Sequence, residues 1–208
     1  MSATRGEAGR SAGRSPARAA YAGIGARETP PDMLAVIASL AERLARLGLL
    51  LRTGASPGAD QAFYCGARAG GGRAELYLPW PGFEQGSWKD ARGPDVSVLE
   101  RPSPEAYELA ARFHPRWERL DERTRDLLAR DGHEVLGADL RGSVEMVVCW
   151  TADGSVTGEG EGPDGTRQAL RLAAAHGIKV FNLARPEHAR QLSAYTAAAL
   201  AGGPAERA

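Results

Sequence analysis

Short apolar runs that end in glycine or proline, most of them followed by a segment of helical period, recur along the chain and limit the folds open to it. "AAYAGIG" at 19–25 precedes Met33, Ile37, Leu40, Leu44 and Leu47, which are spaced three and four residues apart. "LLLRTG" at 49–54 leads into "SPGADQAFYCGARAGG", and "RAELYLPW" at 73–80 is stopped by Pro79 and Pro81. Further on, "SVEMVVCWT" leads to "GTRQALRLAAAHG", and "IKVFNL" to "PEHARQLSAYTAAAL". Strands that are apolar throughout and separated by helices belong to parallel sheets covered on both faces. The pattern predicts an α/β fold, an open and mostly parallel Rossmann-like sheet with helices on both faces.

Boundary residues refine this reading. Thr29 is predicted to cap the first helix, with Pro30 as its first residue, Asp32 near the position of a capping-box acid and Gly48 closing its far end. Residues 81–141 change rhythm to prolines, tryptophans and charge-rich pieces such as "PSPEAYELAARF" and "PRWERLDERTRDLLARDG". They read as a helical insertion or an extended crossover packed on the sheet, because a structureless loop of that length is uncommon in a compact domain. Residues 1–18 are small, polar and basic and read as a disordered tail; 19–201 form one domain, and 202–208 a frayed end.

Composition narrows the partners. Lysine plus arginine equals aspartate plus glutamate at 26 each, so no overall positive field argues for nucleic acid, which ranks below a small molecule as the expected partner. Cys65 and Cys149 stand alone in apolar or small-residue stretches and are predicted to be buried free thiols of a reducing compartment. His114, His133, His176 and His188 are scattered, so no metal site is legible. No apolar run approaches the ~20 residues of a membrane helix, and the expected location is the cytoplasm.

Ligands of open parallel sheets bind beyond the carboxyl ends of the strands. Three glycine loops fall there: "GIGARETP", "TGASPGAD" at 53–60 and "TADGSVTGEGEGPDGT" at 151–166. Each sets glycine just before a helix, where free amides and the helix dipole favour an anion such as a phosphate. Gly23, Gly25 and Arg27 form one candidate wall, Arg27 being either a bidentate phosphate contact or a solvated surface residue. Gly54, Gly58 and Asp60 form a second, Asp60 accepting either from a ribose hydroxyl or from backbone as a cap. Gly165 and Thr166 form the third, with Thr166 a phosphate donor or an ordinary cap.

Glu28 and Asp60 are the weak catalytic candidates; Glu28 is equally explained as an acid in a helix's first turn. Trp80 and Trp150 either stack on a base or belong to the core. Glu159, Glu161 and Asp164 make the third loop acidic, which repels phosphate unless they turn away or hold a cation. The Walker pattern is missing, and Glu28 stands where a dinucleotide fingerprint has its third glycine, so no redox cofactor is expected and none is required.

"YAGIGARETP", "LRTGASPGADQAF", "LYLPW" and "VVCWTADG…GTRQALRLAAAHGIKVFNL", with "HPRWERL" and "HEVLGADL" in the insertion, resemble small SLOG-superfamily proteins of bacteria and their viruses. More distantly, "RTGASPGADQAF" is similar to a loop of the DNA-processing protein A family, whose Rossmann-like domain binds single-stranded DNA. Gly165 and Thr166 resemble the helix start of the Lonely Guy phosphoribohydrolases, which release a base from a nucleoside monophosphate. The resemblance implies a nucleotide or nucleotide-derived ligand that is cleaved or sensed, and a homodimer; the alternative it implies is a single-stranded DNA-binding accessory protein. Where the phosphoribohydrolases carry a catalytic acid this chain has Gln168, which cannot act as a general acid or base and speaks against their hydrolytic mechanism.

Overall fold

The computed structural model describes residues 19–88, 94–160 and 164–202. The predicted tail at 1–18 and most of the predicted frayed end lie outside these residues. Six parallel strands form one open sheet: β1 (Ala20–Gly25), β2 (Leu50–Thr53), β3 (Ala74–Tyr77), β4 (Val96–Leu99), β5 (Met146–Trp150) and β6 (Lys179–Asn182). Their order is β4-β3-β2-β1-β5-β6, so the chain builds outward from β1 in one direction and then returns to start again at β5. The point of reversal lies between β1 and β5.

Helices cover both faces, as the apolar strands require. The helices α1 (Pro31–Arg46), α2 (Ala59–Ala69) and α7 (Pro186–Ala201) contribute Ile37, Leu44, Phe63 and Leu192 to a core against Tyr21, Leu51, Val148 and Phe181. On the opposite face α5 (Glu122–Leu136) and α6 (Asp164–Ala175) bring Val135, Leu136, Leu170 and Ala173 against Ala20, Ala22, Ile24, Val147 and Cys149. Alternate residues of β1 and β5 thus enter different cores, the period-2 consequence of the pleat.

Three expectations need correction. Pro30, not Thr29, sits at the N-cap of α1, and Thr29 instead donates its hydroxyl to the Ala26 carbonyl at 2.7 Å, tying down the preceding turn. Cys65 is exposed on α2, while Cys149 is buried as expected. The 81–141 segment is more than helical: besides α3 (Gln85–Trp88), α4 (Pro104–Phe113) and α5, it supplies β4, which completes an edge of the sheet beside β3. Among the described residues no helix is long and apolar enough to cross a membrane.

Candidate functional site

A cavity of about 420 Å³ opens at the carboxyl edge of the sheet, at the reversal between β1 and β5. Its wall takes Gly25, Arg27 and Glu28 from the loop after β1, Ser56 and Asp60 from the loop after β2, and Gly165 and Thr166 from the start of α6. The three glycine loops therefore converge on one pocket. Gly23, Gly54 and Gly58 do not line it.

The glycines serve the packing of protein on protein. A Cβ on Gly23 would lie 2.6 Å from the Phe63 ring, and one on Gly25 the same distance from the Ala59 Cβ. Gly58, at φ +88°, lets the β2–α2 loop rest on the Arg27 carbonyl, which a side chain would meet at 2.6 Å. A Cβ on Gly54 would lie 1.5 Å from an Arg130 nitrogen, because that guanidinium sits directly on the glycine and donates to its carbonyl at 2.7 Å.

Asp60 fills the anion position at the first turn. Its carboxylate accepts from the Gly25 amide at 3.2 Å and from the Ser56 amide at 3.1 Å, while the Ala26 amide donates to the Trp150 carbonyl at 3.2 Å. The Gly25 amide expected at a ligand phosphate is thus held by a side chain, and of the two readings of Asp60 the geometry matches the one in which it acts on backbone. Amides at the start of α6 are placed differently, since nothing lies within 4 Å of a Cβ on Gly165. Arg27 is exposed at the cavity mouth, 3.7 Å from Glu84.

Trp80 and Trp150 are not part of the cavity wall. Trp80 packs edge-on against Phe83, with the Arg123 guanidinium 5.4 Å from its ring centre, and Trp150 packs against the α1–α2 core. Gln168 is buried and turned toward α4, where its amide donates to the Ala110 carbonyl at 2.9 Å. In the third loop Asp153 accepts from Arg167 at 2.6 Å, and also from the Thr151 hydroxyl and the Ser155 amide, which holds its carboxyl down at about 2. The backbone carbonyl of Glu159 accepts from Arg167; Glu161 and the side chain of Asp164 lie outside the described residues. Among the described residues no cluster of histidine, cysteine, aspartate and glutamate is arranged to hold a metal ion.

The sequence reading missed the cavity's floor. It is built by α5, whose Leu127, Leu128, Arg130, Asp131 and Glu134 line the pocket together with Thr124. Arg130 stands 3.3 Å from Asp131, 3.2 Å from Glu134 and 3.7 Å from Asp60, and the side chains of all four are at least nine-tenths buried. Three carboxyls around one guanidinium leave an excess of acid in a place where unpaired charge is costly. Burial pushes Asp131 up to about 8 and Glu134 well above the usual carboxylate range; Asp60 is also raised by burial, against the pull of Arg130. Burial opposes the charge on Arg130, but Glu134, Asp131 and Asp60 together hold its pKa above the ordinary value. Among the described residues Asp131 Oδ2 has no hydrogen-bond partner, while Glu134 Oε1 and Arg130 Nε are held by the ion pairs to Arg130 Nη1 and Asp131 Oδ1 and by no hydrogen bond of good geometry.

The fold and this cavity define an open, all-parallel α/β protein of the Rossmann-like class with its cleft at the topological switch point. No protein-family model matches the chain, and no curated protein matches it significantly. Among solved structures, the chain is similar to DNA processing protein A from Streptococcus pneumoniae, with a TM-score of 0.37 and 12% identity. That likeness covers 78% of this chain and 58% of the other.

Proposed function

We propose that the protein binds a nucleotide or nucleotide-derived small molecule in the switch-point cavity, and either cleaves or senses it. The observation that carries this reading is the convergence of the three strand-end loops on one cavity of about 420 Å³, within the size range of small-molecule sites. The cavity offers different chemistry at its two ends. Arg27 and the start of α6 at Gly165 and Thr166 provide positive charge, amides and a hydroxyl at the mouth, where a phosphate belongs. Leu127 and Leu128 supply an apolar wall for a ring, and the α5 carboxyls lie beneath. The SLOG resemblance of the glycine loops supports the same class of ligand. If the site is catalytic, its acid–base groups belong to α5 rather than to Gln168, which faces α4.

Thermal-shift screening against nucleoside monophosphates, ADP-ribose derivatives and oligonucleotides tests the reading. A mononucleotide at a hundred times its Kd is expected to add roughly 2.7 kcal/mol to apparent stability. Stabilisation by oligonucleotides alone, weakening steeply with salt, would instead place the protein with single-strand DNA binders. Chromatography of incubated nucleotides for released base separates cleavage from sensing.

A further inference from the structure

On the sheet face opposite α5 and α6, the helices α1 and α7 leave between them a groove of about 540 Å³. Ala35, Val36 and Leu40 of α1 and Ala189 of α7 give it an apolar lining, with Leu183 from the loop after β6. Three large apolar side chains are exposed among the described residues, and all belong to these two helices: Val36 on α1, Tyr195 and Leu200 on α7. Of the sixteen residues of α7 only Leu192 and Thr196 are buried. Its exposed side carries Ala194, Ala197, Ala198 and Ala201, small enough for another helix to approach closely. Charge on this face is divided by position. Asp32, Val36, Ser39 and Arg43 recur at steps of four, three and four residues, one stripe along α1 with the acid about 16 Å from the base. On α7, Glu187 lies in the first turn and Arg190 a turn further on. Among the described residues these four charged groups form no ion pair, and Arg43 donates to the Ser193 hydroxyl across the groove at 3.4 Å.

The geometry points to a second copy of this chain as the occupant of the α1–α7 face, docked about a two-fold axis so that the Asp32 end of each copy meets the Arg43 end of the other. A uniformly acidic partner is repelled by Asp32 and Glu187, and a uniformly basic one by Arg43 and Arg190. The chain's own first 18 residues, with four arginines and one glutamate, are of the second kind and do not complement the groove. A face that runs from acid to base is complementary to itself when reversed, and an isologous contact supplies that reversal. Because α1 and α7 both follow strands of one parallel sheet, the same reversal sets the helices of the two copies antiparallel, the arrangement their dipoles favour. Val36, exposed in the single chain, is covered in the pair. The ligand cavity shares no lining residue with the groove, so the contact and the proposed binding site are independent of each other.

Sedimentation velocity of the full chain, from about 1 to about 100 μM, tests this. The wild-type chain is expected to run as a dimer at the upper end of that range. Asp32→Lys and Arg43→Glu each set like charges against one another at both ends of the contact, and each should raise the dissociation constant at least about tenfold. An equimolar mixture of the two variants should regain the dimer, because in the mixed pair each end again joins opposite charges. That recovery also shows that both variants are folded, and thermal melting of each alone gives a second check. Val36→Glu, on the same stripe, should weaken the dimer both alone and in a mixture with either charge variant. A wild-type chain that stays monomeric at about 100 μM would overturn the inference. So would a dimer that both charge variants leave intact, which would place the contact on another face. Charge variants that melt cooperatively and remain monomeric when mixed would overturn the reversed docking of Asp32 on Arg43.

Discussion

Asp131 shows how a single residue couples the fold to solution conditions. Its carboxyl is pushed up to about 8 in the folded chain, whereas an unfolded chain leaves it in the ordinary range near 4. The folded state therefore holds the proton more tightly. The stabilisation this provides is complete below about pH 4 and is lost as pH rises through about 8. Asp131→Asn is expected to remove that loss, so the variant should melt above the wild-type temperature at about pH 8.5 and show a shallower fall between neutral and alkaline pH. Melting curves across the range check this, and a variant that lost stability equally at every pH would contradict it. No reading of the sequence reaches this residue. "TRDLLARDGHEVL" looks like a solvated, charge-rich helix, and its charges become buried only because Gly54 and Asp60, some seventy positions earlier, close over Arg130.

At the scale of elements, glycine loops and helix periods were legible because they are local. All of the strand-and-helix pairs outside residues 81–141 follow from apolar runs and spacing. The strand β4 was not legible, since "VSVL" is a four-residue edge strand among turn-forming residues, and its identity depends on pairing with β3. Of the predicted site residues, Gly25, Arg27, Glu28, Asp60, Gly165 and Thr166 meet at the cavity, while Trp80 and Trp150 pack elsewhere. Gln168 is a matter of element packing: it clasps α6 to α4 through the Ala110 carbonyl. Gln168→Glu would replace a buried donor by a carboxylate facing that carbonyl. It is expected to cost roughly 1–3 kcal/mol in urea denaturation and to create no glycosidic activity. Activity gained by Gln168→Glu would mean that this position reaches the ligand after all.

For the whole molecule, topology decides where chemistry is possible. A chain that builds outward from β1 and restarts at β5 leaves its loops diverging at that one edge, and the 81–141 segment, read from sequence as an insertion or extended crossover, closes the resulting crevice from beneath with α5. The cavity is thus shared between the strand-end loops and the 81–141 segment.

Hydrogen–deuterium exchange with saturating mononucleotide tests the central claim most directly, since it asks where a ligand acts without assuming which residues hold it. Protection is expected at the strand-end loops around 24–28 and 54–60, along 124–134 of α5, and at the start of α6 around 165–168, with α7 unchanged. Stabilisation without protection of those segments, or protection elsewhere, would contradict the assignment of the cavity as the ligand site.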